Sequence, residues 1–126
     1  MIVGIGVDVV EIDRVKRMFA EKSERMLQRL FTANEIAYLS TKAVPAQHLA
    51  VRLAAKEAAY KALAGNELAR GIGWRDVEIV TRDDGAPELR LSGRAEQRFS
   101  ELGAASIHVS LSHSHETAVA VVVVER

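Results

Sequence analysis

The stretch AVRLAAKEAAYKAL, residues 50–63, decides the fold, because alanines and charged residues fall on opposite halves of the helix that it predicts. At about 100° per residue, the alanines after residue 53 share one half of this helix. Because an alanine surface lets backbones approach closely, we expect that half to pack on a sheet and the other half to face a cleft or solvent. The alanine half comprises Ala54, Ala55, Ala58, Ala59 and Ala62, and the charged half comprises Arg52, Lys56, Glu57, Tyr60 and Lys61.

The rest of the chain alternates strand and helix patterns around this helix. Period-two alternation predicts a strand over residues 2–9, on which Gly4, Gly6 and Asp8 share one side, and the two glycines allow another element to approach. The order of elements predicts an α+β domain whose mainly antiparallel sheet packs against the long alanine-rich helix. The later elements are an amphipathic helix over 12–31, a capping-box helix from Thr32, the long helix from Pro45 closed by Gly65, a loop over 66–74, a hairpin over 76–92, a helix over 93–103 and a hairpin over 106–124.

Composition limits the class of protein. The 126 residues suit a single domain, 1–126, and the 17 basic residues match the 17 acidic ones, so bulk nucleic-acid binding is not expected. The absence of cysteine excludes disulfides and thiol catalysis and favours a reducing compartment. The start of the chain lacks export features, and the valine-rich run over 118–124 is too short to span a bilayer. We therefore expect a cytoplasmic protein with no membrane partner.

Two carboxylates form a candidate metal site. Asp8 lies on the glycine side of the first strand, and Glu57 lies among cations on the long helix. Mg²⁺ prefers such oxygen ligands and completes its octahedron with water and phosphate oxygens, so the pair indicates phosphoryl or nucleotidyl transfer. The alternative is a surface ion pair between Glu57 and Lys61, four residues apart, which would contribute about 0.3 kcal/mol.

Three motifs resemble those of the holo-acyl-carrier-protein synthases, the small-type 4′-phosphopantetheinyl transferases. They are GIGVDVVEIDR at residues 4–14, RLAAKEAAYKAL at 52–63 and HVSLSHS at 108–114, with a Gly-x-Pro turn at Gly85 and Pro87 between the last two. The resemblance spans the whole chain and implies the fold of that family. It also implies transfer of 4′-phosphopantetheine from coenzyme A to a serine of apo-acyl carrier protein, with release of adenosine 3′,5′-bisphosphate, in support of fatty acid biosynthesis.

The resemblance also implies roles for individual residues. Asp8 and Glu57 are expected to hold Mg²⁺ on the pyrophosphate of coenzyme A, and Lys61 to contact the transferred phosphate, so these three are the expected catalytic residues. Our hypothesis for the base that removes the serine proton is Glu57 or a metal-bound water. The expected coenzyme A-binding residues are Arg52, Lys61, Gly85, Pro87 and His113.

The histidines near the end of the chain are open to several interpretations. Members of the family form homotrimers with active sites at subunit interfaces, so the resemblance implies that His113 binds the coenzyme A nucleotide and could serve a neighbouring chain. Without the resemblance, His108, His113 and His115 could equally be solvated residues of a polar turn. A zinc site built from all three is a sharper alternative.

The first helix carries a candidate docking surface for the carrier protein. If the helix is continuous, a purely basic stripe with one methionine lies opposite its apolar face, which suits a small acidic helical partner. Arg14 and Met18 match family positions that meet the carrier, and Arg25 extends the set by helical spacing. The full stripe comprises Arg14, Met18, Lys22, Arg25 and Arg29.

The sequence departs from the family at several positions, and two other functions stay open. Leu53 stands where an aromatic residue is common, Ala86 replaces a basic residue of the Gly-x-Pro turn, and the connection after Lys61 is longer than usual. These changes concern nucleotide binding and leave Asp8 and Glu57 intact. The alternatives are a Mg²⁺-dependent phosphohydrolase that uses the same carboxylates and a non-catalytic module that binds a carrier protein or a nucleotide.

Overall fold

A computed structural model describes residues 1–64 and 71–126, apart from the side chains of residues 21–23. All strand pairs in these residues are antiparallel, and they form a three-stranded sheet in the order β1-β5-β4 and a two-stranded sheet of β2 and β3. The predicted α+β fold is confirmed. The elements are β1 Ile2–Glu11, α1 Ile12–Leu30, α2 Ala33–Ser40, α3 Pro45–Ala64, a 3-10 turn Trp74–Asp76, β2 Val77–Thr81, β3 Pro87–Leu91, α4 Gly93–Glu101, β4 Ser106–His113 and β5 Thr117–Glu125.

The alanine half of α3 packs directly on β1, as the sequence predicts. A Cβ atom built on Gly4 would lie 2.0 Å from the carbonyl oxygen of Ala62, and one built on Gly6 would lie 2.0 Å from that of Ala58. No side chain therefore fits between the strand and the helix at these two points. The five alanines of this half are all buried. The predicted end of the helix at Gly65 lies outside the described residues.

Two sets of backbone contacts fix the α1–α2 region, and the sequence predicts the first of them. The capping box at the start of α2 is confirmed, because the Thr32 hydroxyl accepts from the Glu35 amide at 3.2 Å and the Glu35 carboxylate accepts from the Thr32 amide at 3.0 Å. β1 leads directly into α1, and the Ile12 amide donates to the Glu116 carbonyl at 2.9 Å. The apolar face of α1 packs against α2 and α3 around Phe31.

The charged half of α3 faces clefts or solvent, as the sequence predicts, but two of its cations are buried. Arg52 is only 4% exposed and Lys56 only 2% exposed, whereas Tyr60 and Lys61 are exposed. The wheel places Arg52 and Lys56 correctly opposite the alanines, but α2 and the β2–β3 hairpin cover that side of the helix. Polar partners from these elements make the burial of both cations possible.

The part of the three-stranded sheet formed by β1 and β5 has an apolar, open face, which β4 continues with the polar residues His108, Ser110 and Ser112. Ile5, Val7 and Val9 of β1 each have more than half of their surface exposed. Their partners in register on β5 are Val123, Val121 and Val119, which are half-buried and lie on the same face. An aliphatic surface of this extent is uncommon on a monomer and is typical of an interface.

The search for membrane-spanning helices covered the described residues, and no helix among them is both long and apolar enough to cross a bilayer.

The α3–β1 contact predicts a specific sensitivity at Gly6. Gly6→Ala should lower the free energy of unfolding by about 3 kcal/mol, because the new methyl group must displace a backbone carbonyl rather than a flexible side chain. Gly73→Ala is the matched control: Gly73 has an ordinary φ of −87°, and its Cβ would lie 3.6 Å from the nearest heavy atom. Urea denaturation of both variants measures the difference, and equal stability would contradict the packing described here.

Candidate active site

Asp8 and Lys61 meet at the edge of the α3–β1 contact. Asp8 lies two residues after Gly6, on the side of β1 that faces α3, and Lys61 lies on the last turn of α3. The Lys61 Nζ donates to Asp8 Oδ1 at 3.1 Å and to the Val7 carbonyl oxygen at 3.1 Å. The structure therefore joins two of the three predicted catalytic residues across the contact.

Glu57 lies one turn before Lys61, close enough to Asp8 for the two carboxylates to repel each other. Partial burial raises the pKa of Glu57, the charge of Asp8 raises it further, and the Lys61 ammonium opposes both effects. Paired oxygen ligands with excess negative charge suit a hard divalent cation. In the described part of the chain, no group of three or more histidine, aspartate or glutamate side chains could hold a metal. A cation here would therefore keep several coordination positions for water and phosphate oxygens.

The absence of such a group also rules out the zinc site suggested for the three histidines near the end of the chain. His108 Nε2 lies 2.7 Å from Glu125 Oε1, whereas His113 lines a separate pocket. Since all three histidines are among the described residues, they do not form a zinc site.

A cavity of about 190 Å³ adjoins Glu57. Its walls are mainly apolar and come from the last turns of α3 and from the segment that precedes β2. It offers room beside the carboxylates for an uncharged part of a substrate. The lining residues are Lys56, Glu57, Tyr60, Ile72, Gly73, Trp74 and Val77.

Lys56 fixes one wall of this cavity through a buried polar network. Its Nζ donates to Glu35 Oε1 at 2.8 Å and to the carbonyl oxygens of Trp74, at 2.9 Å, and Val77. Burial lowers the pKa of Lys56, and the Glu35 carboxylate opposes that shift. Glu35 also accepts from the Ile79 amide at 3.1 Å, so α2, α3 and β2 are joined around one ion pair.

A second pocket, of about 340 Å³, collects the predicted coenzyme A-binding residues other than Lys61. All four line it: Arg52 comes from α3, Gly85 from the β2–β3 turn, Pro87 from the start of β3 and His113 from the end of β4. No carboxylate lines this pocket in the portion of the chain that the structure describes. The sequence did not identify Tyr38, His48 and Thr81, which also line it and carry no motif of their own.

Arg52 is the central cation of this second pocket, and its polar partners are neutral. Its guanidinium stacks 4.1 Å from the centre of the Tyr38 ring and donates to the His48 carbonyl at 3.3 Å and the Thr81 hydroxyl at 3.5 Å. Its buried Nε has no hydrogen-bond partner among the described residues. A buried cation without a carboxylate partner is suited to binding an anion.

The two groups of predicted residues lie on different faces of α3. Arg52 and Glu57 are five residues apart, which turns them about 140° from each other around the helix. Asp8, Glu57 and Lys61 thus form one group. Arg52, Gly85, Pro87 and His113 form the other, and Lys61 is the only expected coenzyme A ligand found with the carboxylates.

Comparison with known proteins gives the family. A sequence model described as the 4′-phosphopantetheinyl transferase superfamily matches residues 4–122. The chain belongs to this superfamily. It is 48% identical over 126 residues to a holo-[acyl-carrier-protein] synthase of Geobacter metallireducens, and the match covers 100% of this chain and 99% of that protein.

Solved structures of the superfamily share the fold. A holo-[acyl-carrier-protein] synthase from Neisseria meningitidis superposes with a TM-score of 0.88 at 29% identity and covers 100% of both chains. One from Bacillus anthracis, solved in complex with CoA (3′,5′-ADP), superposes with a TM-score of 0.79 at 34% identity and covers 99% of this chain and 97% of that one. These similarities confirm the predicted family and its fold.

The predicted carrier-binding residues lie on the outer surface of α1. Arg14, Arg25 and Arg29 are exposed, and Met18 is partly exposed beside them. The side chain of Lys22, the remaining member of the stripe, lies outside the described residues. The four described members of the stripe are therefore accessible, while its binding role stays a prediction.

The buried network predicts very different effects for two lysines of α3. Lys56→Met should lower the free energy of unfolding by about 3–5 kcal/mol, because Glu35 is left buried without its cation. Lys61→Met should lower it by less than about 1 kcal/mol, since Lys61 is exposed and its ion pair with Asp8 is solvated. Urea denaturation of the two variants tests this contrast. Similar decreases in the free energy of unfolding would show that the Glu35–Lys56 pair does not stabilise the cavity wall.

Proposed function

We propose that this protein transfers 4′-phosphopantetheine from coenzyme A to a serine of apo-acyl carrier protein, giving holo-acyl carrier protein and adenosine 3′,5′-bisphosphate. The whole chain, 1–126, acts as the transferase domain in the cytoplasm and supports fatty acid biosynthesis. The observation that carries the proposal is the arrangement of Asp8, Glu57 and Lys61 across the α3–β1 contact. The holo-[acyl-carrier-protein] synthases that match the full chain support it.

Asp8 and Glu57 would hold Mg²⁺ in this reaction. The donor set fits, because both side chains offer hard oxygen ligands and their mutual repulsion favours a cation between them. When bound, Mg²⁺ would neutralise charge on the pyrophosphate of coenzyme A and polarise the attacked phosphorus.

The remaining steps use side chains of this chain. Lys61, now on Asp8, can turn its ammonium toward the transferred phosphate because its side chain is exposed. Glu57 would accept the proton of the carrier serine, because its carboxylate would lie beside the incoming hydroxyl. The mainly apolar cavity beside Glu57 leaves room for the start of the pantetheine arm.

The nucleotide end of coenzyme A would bind the second pocket. Arg52 and His113 face its phosphate there, while Gly85 and Pro87 shape the turn against the nucleoside. Because this pocket and the carboxylates lie on different faces of α3, one coenzyme A would bind residues of two neighbouring copies of the chain. The open face formed by Ile5, Val7 and Val9 supplies an apolar surface for such an assembly, and we propose a homotrimer.

The exposed basic stripe on α1 would bind the carrier protein. Arg14 and Arg25 provide charge for an acidic helix, and Met18 provides an adaptable apolar contact between them. The phosphohydrolase and the non-catalytic module find no support in the matched proteins.

A transfer assay tests the function and the metal together. Apo-acyl carrier protein incubated with this protein, coenzyme A and Mg²⁺ should gain the mass of one phosphopantetheine by mass spectrometry, and chelator should abolish the gain. Glu57→Gln should abolish transfer while leaving the fold intact, because only the charge of the ligand is lost. Glu96→Gln, an exposed glutamate of α4, is the control and should transfer normally. Full activity of Glu57→Gln with normal Mg²⁺ dependence would exclude the assigned metal site.

The assembly predicts the effect of a charge on the open sheet face. Val7→Glu should convert the trimer into monomers and abolish transfer, because a carboxylate would be buried at an apolar interface without a partner. Val44→Glu is the control, since Val44 is 48% exposed and Val7 is 53% exposed, but Val44 lies outside the sheet. Light scattering after size-exclusion chromatography measures the mass, and a trimeric Val7→Glu would refute the interface.

A further inference from the structure

His48 lines the second pocket and takes no part in the steps proposed for the transfer. It lies near the start of α3 and is half-buried. Its ring packs nearly at right angles to the Tyr38 ring, with the centroids 6.1 Å apart. The Arg52 guanidinium stacks on the same Tyr38 ring, so the imidazole lies near the cation that would bind phosphate.

The charged groups that surround His48 are all basic. Arg52 approaches from α3, Lys42 from the α2–α3 connection and His113 from β4, while Tyr38 of α2 and Thr81 of β2 contribute hydroxyl groups. Burial lowers the pKa of His48, and the charges of Arg52, Lys42 and His113 lower it further. In the free protein the imidazole is therefore neutral near pH 7.

An anion bound in this pocket would instead raise the pKa of His48. A phosphate monoester carries a charge of about −1.5 to −2 near pH 7, which outweighs the repulsion from a neighbouring cation and favours the imidazolium. Coenzyme A carries a 5′-pyrophosphate and a 3′-phosphate. Since the pyrophosphate belongs beside Asp8 and Glu57, the group left for this pocket is the 3′-phosphate.

We propose that His48 determines specificity for the 3′-phosphate of coenzyme A, which it binds as an imidazolium after taking up one proton from solvent. The inference rests on the proposed function, because it uses the same nucleotide pocket. No covalent bond changes, and the proton returns to solvent when the nucleotide leaves. Affinity for a 3′-phosphorylated nucleotide should therefore fall as pH rises through the pKa of His48 in the complex.

Isothermal titration calorimetry tests the proposal with adenosine 3′,5′-bisphosphate and adenosine 5′-monophosphate as probes. The titrations use the full chain at pH 7 in two phosphate-free buffers that differ in ionisation enthalpy. The unaltered protein should take up protons with the bisphosphate and not with the monophosphate. His48→Gln should lose this uptake and bind the bisphosphate about tenfold more weakly, the effect expected from losing a charge-assisted hydrogen bond. Its affinity for the monophosphate should not change, which also shows that the pocket is intact.

Three further variants show which histidine takes up the proton. His115→Gln, in the turn after β4, should retain normal uptake, and His113→Gln should bind more weakly but still take up protons. His48→Lys, which is charged before binding, should bind the bisphosphate without uptake, and it decides the question if His48→Gln fails to fold.

The outcomes distinguish this inference from the proposed function. If His48→Gln retains the uptake and affinity of the unaltered protein, or if His113→Gln alone loses the uptake, the role of His48 is overturned and the nucleotide pocket stands. If the unaltered protein binds neither nucleotide, the nucleotide pocket itself is wrong, and this inference falls with it.

Discussion

The close approach of β1 to α3 is the constraint on which the rest of the structure depends. Glycines on the strand meet backbone carbonyls of the helix, so the distance between the two elements is set by backbone and not by side chains. Asp8 continues the glycine side of β1, and Lys61 and Glu57 lie at the same end of α3. A larger side chain at Gly4 or Gly6 would separate the two elements and with them the three residues that we propose to be catalytic.

The two buried cations of α3 show how similar residues serve different purposes. Lys56 donates to a carboxylate and two carbonyls, so its hydrogen-bonding capacity is used within the fold. Arg52 is equally buried, but it stacks on Tyr38 and contacts only neutral groups, and its Nε has no partner in the described structure. Lys56 therefore belongs to the framework, whereas Arg52 carries a charge that a bound phosphate can neutralise.

The sequence predicted the elements well because the strong local signals agree with the packing. The capping box at Thr32 and the alternation over β1, β4 and β5 match the observed elements within a few residues. The burial of Arg52 and Lys56 could not be predicted, because it depends on α2 and on the β2–β3 hairpin folding over the charged half of α3. Tyr38 was missed for the same reason, since only the tertiary fold places it beside Arg52. His48 lies four residues before Arg52 on the same helix, so helical spacing could have identified it.

We propose that one coenzyme A spans two copies of the chain, because the carboxylates and the second pocket lie on different faces of α3. The most direct measurement is a crystal structure with coenzyme A and Mn²⁺, which replaces Mg²⁺ and can be located by its anomalous scattering. The account predicts an anomalous peak beside Asp8 and Glu57 of one copy, with the 3′-phosphate of the same coenzyme A beside Arg52 of a neighbouring copy. A peak away from both carboxylates, or a coenzyme A bound at both ends by a single copy, would contradict it.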